Sequence, residues 1–480
     1  MKLRAGFFVA ALLLVPAAAR PEAEPRPPLP TDSVTHYSLT LPGRTLRFTA
    51  TAGAFRLAGA DDKPQADIAT IAYTLDDADP ATRPVAFAVN GGPGASSAWL
   101  QLGALGPWRL ALPGPPTPSA PPVPVANAET WLDFTDLVFI DPPGTGFSRL
   151  VNGSEELRHK FYAVEGDIPP LAEVIRRWTV KQARLASPRL IVGESYGGFR
   201  GPRLVQALQT GEGLGVTGLV LVSPVLDFGW TGFGTDPLSL AGRLPSMAAV
   251  AAEAGGWEPD LAAAEHYAAG EFLADLLSGP RDPAAVERLT AHVAALTGLD
   301  AALVRRLAGR IDLHSFQRER VHGDMASLYD ATVASPDSAP TAASNDQQPD
   351  AVLDALRAPL TGAMQLVYRM LEWQPEGRYE VLNEEVAEAW DWGHGLRRPD
   401  SVQALRTALA LDPALRVVVV HGRDDLVTPY FATKMLLAQL PQIGAPDRVR
   451  LLVTPGGHML YLRDVSRVAL REAARGLVER

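Results

Sequence analysis

The sequence of 480 residues contains no cysteine. Disulfide bonds, thiol nucleophiles, zinc–thiolate centres and lipid attachment at a cysteine are therefore excluded. An excess of basic residues is also missing, since 44 Lys and Arg stand against 54 Asp and Glu and the formal net charge is −10. Without a basic stripe, neither nucleic acid nor an anionic membrane surface is an expected partner.

Long apolar runs are absent apart from one near the N-terminus. Residues 5–15 are apolar but too few to cross a bilayer. Lys2 and Arg4 precede this run and three alanines, 17–19, follow it, which is the pattern of a cleaved secretory signal over residues 1–19. An uncleaved anchor is the alternative, disfavoured because no stop-transfer pattern follows. Without cysteines, such a signal predicts a bacterial protein, periplasmic or secreted, with no stable membrane association after cleavage.

Composition divides the rest of the chain into four stretches. Residues 20–34 are rich in proline and charge, which predicts a flexible leader. In residues 35–228, strand-like and helical patterns alternate and predict the first part of an α/β core. Residues 229–392 are rich in Ala, Leu, Glu and Arg at helical spacing and predict a helical cap insertion. The alternation resumes in residues 393–480, the predicted second part of the core.

Short apolar runs predict the strands of a doubly wound, mostly parallel sheet. Alternating segments between residues 36 and 74 predict antiparallel strands. Continuously apolar runs predict strands buried on both faces, at residues 85–89, 137–140, 190–192, 219–222 and 417–420, and a last strand is predicted at residues 449–453. Loops that follow parallel strands meet at the carboxyl edge of the sheet, where we expect the functional site.

The segment Gly-Glu-Ser-Tyr-Gly-Gly at residues 193–198 lies between an apolar run and a helical pattern. Its glycines predict a sharp strand–turn–helix with Ser195 at the apex, where a Cβ at Gly193 or Gly197 would crowd the strand or the helix. The serine hydroxyl would lie over a helix N-terminus, which stabilises developing negative charge. Alone, this string is weak evidence for a nucleophile, because Gly and Ser are common in turns.

A nucleophilic serine needs a base and an orienting carboxylate, here expected in the order Ser, Asp, His. His458 follows the last predicted strand in a Gly-rich loop and is the predicted base. His421 also follows a strand but comes too early, beside the acid loop. Asp424 and Asp425 both follow the strand before the last, and the pattern does not choose between them.

The oxyanion of an acyl-transfer reaction needs two backbone N–H donors. Tyr196, directly after the serine, is expected to supply one. The glycine-rich loop at residues 91–94 follows a buried strand and fits the second role, because glycines let N–H groups point inward. The alternative is that this loop is a plain tight turn.

Five motifs in this order resemble the serine carboxypeptidases of peptidase family S10: NGGPGASS, DPPGTGFS, GESYGG, GRDDLVTP and GGHM. Three segments resemble its bacterial branch in particular: GALGP, GRYEVLNEEVAEAWDWG and GGHMLYLRDVSRVAL. The resemblance implies an α/β-hydrolase fold with a helical insertion. It also implies the removal of single residues from peptide C-termini, usually under acidic conditions, with no metal or organic cofactor. It aligns Ser195 with the nucleophile, His458 with the base and Asp425, rather than Asp424, with the acid.

The resemblance further aligns Gly92 and Tyr196 with the oxyanion donors. Asn90, Gly91 and Glu194 align with the group that binds the free α-carboxylate of the substrate. An amide and a backbone N–H can donate to a carboxylate, but Glu194 can do so only when it is protonated, since two carboxylates repel each other. Binding is therefore expected to be tightest at acidic pH.

Three positions depart from the family pattern. Ala88 and Ala95 stand where the family has Trp and Cys. Ala104 stands where its eukaryotic members carry a second glutamate, paired with the one before the serine. Without that partner, Glu194 is expected to titrate nearer its ordinary value, which weakens the acidic preference.

These features predict a serine carboxypeptidase that acts on peptides with a free C-terminus through an acyl-enzyme on Ser195. An esterase or acyltransferase with the same triad is one alternative, and a catalytically inactive binding protein is another. The sequence leaves open the residue preference, the natural substrate and the oligomeric state, a homodimer included.

Overall fold

The computed structural model of the protein describes residues 26–112, 114–230, 234, 236–345, 347–395 and 398–479. The predicted signal segment, residues 1–19, lies outside the described residues, as do residues 20–25 of the predicted leader. No helix in the described part of the chain is long and apolar enough to cross a membrane.

The strands of the described residues fall into one large sheet and two small hairpins. They are β1 (Ser33–Leu41), β2 (Arg44–Ala58), β3 (Pro64–Leu75), β4 (Val85–Val89), β5 (Trp108–Leu110), β6 (Pro124–Ala126), β7 (Asp136–Ile140), β8 (Arg149–Leu150), β9 (Arg189–Glu194), β10 (Gly218–Val222), β11 (Asp324–Ala326), β12 (Ala334–Pro336), β13 (Arg416–Gly422) and β14 (Val449–Thr454). The two hairpins are β5–β6 and β11–β12, and the other ten strands form the large sheet.

The α-helices of the described residues are mostly short. They are α1 (Ala98–Leu100), α2 (Glu155–Phe161), α3 (Ile168–Lys181), α4 (Tyr196–Thr210), α5 (Pro237–Gly255), α6 (Leu261–Tyr267), α7 (Leu273–Ser278), α8 (Pro283–Thr297), α9 (Ala301–Arg306), α10 (Leu313–Glu319), α11 (Leu353–Met370), α12 (Glu384–Glu388), α13 (Val402–Leu411), α14 (Tyr430–Ala438) and α15 (Asp464–Arg475). Single π-helical turns occur at Gln101–Leu105 and Ala268–Phe272, and 3₁₀ turns at Trp131–Asp133 and Leu460–Leu462.

The large sheet has the order β1-β2-β3-β7-β4-β9-β10-β13-β14, with β8 paired to β3. The strands up to β3 pair antiparallel, and β7 pairs antiparallel with β3. From β7 to β14 all neighbours are parallel. Because β4 and β9 are neighbours although β7 lies between them in the chain, the strand order reverses there. Loops at the carboxyl ends of such strands form the usual binding crevice.

The continuously apolar runs all form strands of this sheet, at bounds close to those predicted. Their side chains alternate between two apolar clusters, one on each face. In β9, for example, Leu190 and Val192 belong to one cluster and Ile191 to the other. Burial on both faces explains why these strands read as unbroken apolar runs. The alternating segments differ from expectation in one respect, since two of them merge into the single 15-residue strand β2.

The end of the predicted flexible leader is held against the core, which corrects the expectation of flexibility there. The Arg26 N–H donates to the Val151 carbonyl at 2.7 Å. The indole N–H of Trp373 lies 3.2 Å from the Pro30 carbonyl and 3.1 Å from that of Thr31. Proline-rich backbone offers carbonyl acceptors without competing donors, and buried donors of the core use them. The first strand then begins at Ser33.

Between β10 and β13 the chain is mainly helical, from α5 to α13. The helices from α5 to α12 contribute to three apolar clusters. Leu244 of α5 and Leu289 of α8 share one with Tyr430 of the core helix α14. Leu360 of α11 belongs to the cluster on one face of the sheet, and Val386 of α12 belongs to the cluster on the other face. The insertion is thus continuous with the core in all three clusters, and its predicted bounds stay predictions.

Candidate active site

The turn after β9 places Ser195 directly before α4. Ser195 has φ +60° and ψ −121°, a conformation that residues with side chains rarely adopt and that costs on the order of 1–3 kcal/mol. Its N–H donates to the Val222 carbonyl at 2.9 Å, at the end of the neighbouring strand β10. The sheet therefore holds the strained turn in place. Ser195 lines a cavity of about 520 Å³ at the carboxyl edge of the sheet.

Glycine is required on both sides of the serine. A Cβ added at Gly193 would lie 2.0 Å from the Gly197 carbonyl oxygen, and one added at Gly197 would lie 2.5 Å from that of Val89. Both positions are blocked by backbone, which cannot rotate away as a side chain can. These are the crowded contacts that the sequence pattern predicts for a sharp strand–helix turn.

The cavity brings together most of the residues predicted from the sequence. Ser195, Glu194, Tyr196 and His458 all line it, and so do Asn90, Gly91 and Gly92 from the loop after β4. The rest of its described wall is largely apolar and includes Trp99, Val225, Phe228, Leu353, Trp392 and Met459. A largely apolar pocket with a few converging polar groups is the usual form of a small-ligand site.

His458 and Asp425 form a buried pair beside the serine. The Nδ1 atom of His458 lies 2.8 Å from Oδ2 of Asp425, and the two residues are 3% and 0% exposed. Because Nδ1 faces the carboxylate, Nε2 is the ring nitrogen left to act as a base. Burial by itself would lower the pKa of His458, but the negative charges of Asp425 and Glu194 outweigh it and raise this pKa above 6.5.

The Asp425 carboxylate accepts three further hydrogen bonds from its own loop. The Thr428 hydroxyl donates to Oδ2 at 2.6 Å, while the N–H groups of Val427 and Thr428 donate to Oδ1 at 2.8 and 3.0 Å. Burial would raise the pKa of Asp425, but His458 and the Thr428 donors hold it below its ordinary value. Asp425 is therefore ionised beside the histidine.

The neighbouring Asp424 has a different environment. Its Oδ2 accepts the Gly456 N–H at 2.9 Å, which links the two loops behind the site. Burial, with the nearby carboxylates of Asp330 and Glu253, raises the pKa of Asp424 to about 7. The residue pattern left the choice between the two aspartates open, and the structure places Asp425 against His458. The other strand-end histidine, His421, is fully buried in β13, and burial lowers its pKa to about 4.

The glycine-rich loop after β4 packs directly on the serine turn. A Cβ added at Gly91 would lie 2.5 Å from the Tyr196 backbone nitrogen. Behind the loop, the buried guanidinium of Arg200 in α4 donates to the carbonyls of Asn90 and Gly91. It also pairs with Asp167 at 2.7 Å. Sequence reasoning missed Arg200, although a charged residue on the buried face of a predicted helix was a signal.

Glu194 is almost fully buried, with 2% exposure, yet its two oxygens have donors. Asn90 Nδ2 donates to Oε2 at 2.7 Å, and the Tyr461 hydroxyl lies 2.9 Å from Oε1 and 3.0 Å from Oε2. Burial raises the pKa of Glu194 to about 7, against the lowering effects of His458, Tyr461 and Asn90. The expectation that Glu194 titrates near its ordinary value, because Ala104 removes a partner, is therefore wrong. Desolvation by itself raises the pKa, and no second acid is needed.

A segment of the insertion contacts the loops that carry Asp425 and His458. The backbone N–H of His458 donates to the Tyr329 carbonyl at 2.5 Å, and the backbone N–H of Leu426 donates to the Leu328 carbonyl at 3.0 Å. The Tyr329 ring lies edge-on to the His458 ring, with centroids 5.3 Å apart. Nothing in the local sequence of this polar stretch indicated that it would reach the histidine.

A family model described as serine carboxypeptidase matches residues 72–227. Over these residues the chain is similar to the serine carboxypeptidases. The match confirms the family resemblance that the motifs predicted, and it includes the loop after β4 and the turn at Ser195. Asp425 and His458 lie beyond the matched residues.

Two curated relatives from Arabidopsis thaliana each match about a third of the chain. Serine carboxypeptidase-like 45 is 28% identical over 157 residues, or 31% of each protein. Serine carboxypeptidase-like 16 is 28% identical over 164 residues, which are 32% of this chain and 36% of that protein. The chain thus matches about a third of the length of each relative.

A solved structure resembles this one over most of its length. It is that of Kex1(delta)p, a prohormone-processing carboxypeptidase from Saccharomyces cerevisiae, with a TM-score of 0.58 and 16% identity over 90% of both chains. At this identity the likeness concerns the fold. With the mostly parallel sheet, it confirms the predicted α/β-hydrolase fold.

Proposed function

We propose that the protein is a serine carboxypeptidase that releases C-terminal residues from peptides through an acyl-enzyme on Ser195. The observation that carries this proposal is that one cavity is lined by Ser195, by His458 with Asp425 bonded to it from behind, and by a buried carboxyl group, Glu194, whose pKa is raised to about 7. The first three residues serve acyl transfer, and the fourth serves the recognition of a free C-terminus.

In the proposed reaction, Ser195 Oγ attacks the carbonyl carbon of the last peptide bond while Nε2 of His458 takes its proton. Asp425, ionised and held by four hydrogen bonds, stabilises the imidazolium. The N–H groups of Gly92 and Tyr196 donate to the tetrahedral oxyanion. The imidazolium then protonates the leaving amine, and water attacks the acyl-enzyme by the same route in reverse to release the shortened peptide.

Recognition of the substrate's α-carboxylate is assigned to Asn90, Gly91 and Glu194. Asn90 has one amide hydrogen on Glu194 Oε2 and a second one available. Because Oε2 accepts that bond, the proton of a neutral Glu194 belongs on Oε1 and can be donated to the substrate. An ionised Glu194 would instead repel the substrate's carboxylate at short range. The apolar wall around these groups favours peptides with apolar C-terminal residues.

The two titrating groups predict how activity depends on pH. Glu194 must be protonated to bind the substrate, so kcat/KM for a free-acid peptide falls as pH rises through about 7. His458 must be neutral to act as a base, so kcat/KM also falls at low pH. Protonation of Glu194 removes a charge that raises the pKa of His458, which helps the base to remain neutral in the competent form.

The deciding experiment compares an N-blocked dipeptide with its C-terminal amide and its C-terminal ester. We expect the free acid to have the highest kcat/KM, because only it offers the carboxylate. Ester cleavage equal to or better than that of the free acid would indicate an esterase. If a serine-directed phosphonate failed to label Ser195, the protein would be an inactive binding protein.

We also propose that the protein meets its peptide substrates outside the cytoplasm, as the N-terminal pattern at residues 1–19 predicts. N-terminal sequencing of the protein purified from its native cells tests this directly. We expect the mature chain to begin after residue 19, and an intact N-terminus in the cytoplasmic fraction would contradict the proposal.

A further inference from the structure

Tyr461 lies on the single turn Leu460–Leu462, three residues after His458, and its ring is 1% exposed. The ring packs directly against Gly103, where an added Cβ would lie 2.2 Å from it. Its backbone carbonyl accepts a hydrogen bond from buried Arg467 at 2.9 Å. The hydroxyl is thereby presented to one target, the Glu194 carboxyl group, at 2.9 and 3.0 Å.

This hydroxyl keeps its proton at any pH of interest, because burial and the charge of Glu194 raise the pKa of Tyr461 well above its ordinary value. It therefore donates to Glu194 in either protonation state of the carboxyl group. The other groups that face Glu194 are Asn90 from the loop after β4 and the His458–Asp425 pair from the two catalytic loops. Of these, Asn90 is the second hydrogen-bond donor to the carboxyl group.

We propose that Tyr461 is the positioning residue of the carboxylate-recognition site, where it holds the Glu194 carboxyl group in the orientation that meets the C-terminal carboxylate of a peptide. This inference rests on the proposed function. The Glu194 side chain has rotatable bonds, and Asn90 alone would bond only Oε2 and leave the plane of the carboxyl group free to rotate. The buried Tyr461 hydroxyl lies within hydrogen-bond distance of both oxygens and fixes that plane.

Two consequences distinguish this role from simple packing. Tyr461→Phe keeps the ring in its place but removes the donor, so recognition of a free carboxylate weakens while the triad is untouched. The Tyr461 hydrogen bond also lowers the pKa of Glu194. Its removal raises that pKa further, and the alkaline fall of kcat/KM moves to higher pH.

The test measures kcat and KM of the wild type and Tyr461→Phe from pH 5 to pH 9, on an N-blocked dipeptide and on an ester of the same acyl group that lacks a free carboxylate. We expect KM for the dipeptide to rise about ten-fold at pH 6, where Glu194 is mostly neutral and the variant lacks one buried hydrogen bond to it. The ester parameters should stay within about two-fold, since removal of an uninvolved hydroxyl leaves the triad intact.

Tyr379→Phe is the matched control. Its hydroxyl is also buried and also donates to a buried carboxyl group, that of Asp141 at 3.1 Å. It reproduces the loss of a buried tyrosine–carboxyl hydrogen bond at a place outside the cavity. We expect Tyr379→Phe to leave two quantities unchanged: the ratio of dipeptide to ester cleavage, and the alkaline pH at which kcat/KM falls.

Equal losses on both substrates in Tyr461→Phe, or an alkaline limb that does not move, would overturn the assignment. A readout independent of catalysis separates this outcome from failure of the proposed function. The ¹³C titration of the Glu194 carboxyl, identified by its absence in Glu194→Gln, should move to higher pH in Tyr461→Phe. If the wild type did not prefer the free acid, the proposed function would be wrong. If the ¹³C titration of Glu194 did not move in Tyr461→Phe, the positioning of Glu194 by Tyr461 would be refuted.

Discussion

Two buried carboxyl groups lie near His458 and behave in opposite ways. Asp425 and Glu194 are 0% and 2% exposed, so desolvation penalises the charge of both. Asp425 has four donors, namely His458 Nδ1, the Thr428 hydroxyl and two backbone N–H groups. Glu194 has two, from Asn90 and Tyr461. The pKa is below its ordinary value for Asp425 and about 7 for Glu194.

The difference teaches that burial alone does not decide the charge of a carboxyl group in this site. Asp424 makes the same point, because it is next to Asp425, is equally buried and has the Gly456 N–H on one oxygen. Its pKa is raised to about 7. The hydrogen-bond donors and the neighbouring charges therefore set the charge state of each group. The proposed chemistry needs this contrast, since one carboxylate must stabilise a cation and the other must approach an anion.

The largest expected effect comes from removing the charge of Asp425, the carboxylate that accepts four hydrogen bonds. Asp425→Asn should lower kcat/KM by about 10⁴-fold on dipeptide and ester alike, because the imidazolium loses its stabilising charge and the ring its correct tautomer. Steady-state kinetics at pH 7 measure it. A loss of less than ten-fold would show that Asp425 is not the triad acid.

The next largest effect concerns Glu194, the carboxyl group with only two hydrogen-bond donors. Glu194→Gln cannot ionise, so its kcat/KM on a free-acid dipeptide should show no alkaline fall between pH 6 and pH 8, only the rise that accompanies deprotonation of His458. Relative to this variant, the wild type should lose about ten-fold over the same range, because about a tenth of Glu194 remains neutral at pH 8 for a pKa of about 7. A Gln variant that kept the alkaline fall would assign that limb to another group.

Glu194→Gln also tests the raised pKa of Glu194 through the pH dependence of the free energy of unfolding. Because the folded-state pKa of Glu194 is raised, the folded protein binds more protons than the unfolded chain between about pH 4.5 and pH 7, and stability falls as pH rises through this window. Glu194→Gln should therefore gain on the order of 3 kcal/mol at pH 8 and little at pH 4. Urea unfolding at both pH values measures the difference. An equal change at both would exclude a titrating Glu194.

A smaller effect is expected from weakening the donors of Asp425. Thr428→Val removes the hydroxyl bond to Oδ2 and keeps the side-chain shape. We expect kcat/KM to fall roughly five-fold, less than the full value of a hydrogen bond to a charged group, because three other donors to Asp425 remain. Thr433→Val, a buried threonine on α14 outside the cavity, is the matched control. A loss no larger than that of the control would show that the backbone donors suffice.

The smallest effect is expected at the neighbouring aspartate. Asp424→Asn keeps an acceptor for the Gly456 N–H and touches no reacting atom, so kcat/KM should stay within about three-fold, the range of a second-layer hydrogen bond. Measured beside Asp425→Asn, it gives the sharpest comparison of adjacent residues. A loss approaching that of Asp425→Asn would reverse the assignment of the acid.

Much of the fold and the outline of the site could be predicted from the sequence. Apolar runs marked the parallel strands, and turn glycines marked the segment around Ser195, because periodicity and backbone sterics act locally. The order Ser195, then Asp424 or Asp425, then His458 followed from loops after successive strands. The held leader, Arg200 and the contact of Tyr329 with His458 could not be predicted, since each depends on how distant elements pack.

The sequence by itself thus determined which residues stand at the carboxyl edge of the sheet, and the tertiary structure decided what each can do there. Tyr461 and Glu194 are 267 positions apart in the chain, and no local pattern indicates their contact. Asp424 and Asp425 are neighbours, yet only the folded loops direct one to the histidine and the other to a backbone N–H. Charge state depends on desolvation and on donors within hydrogen-bond distance, and both are supplied by elements brought together only when the chain folds.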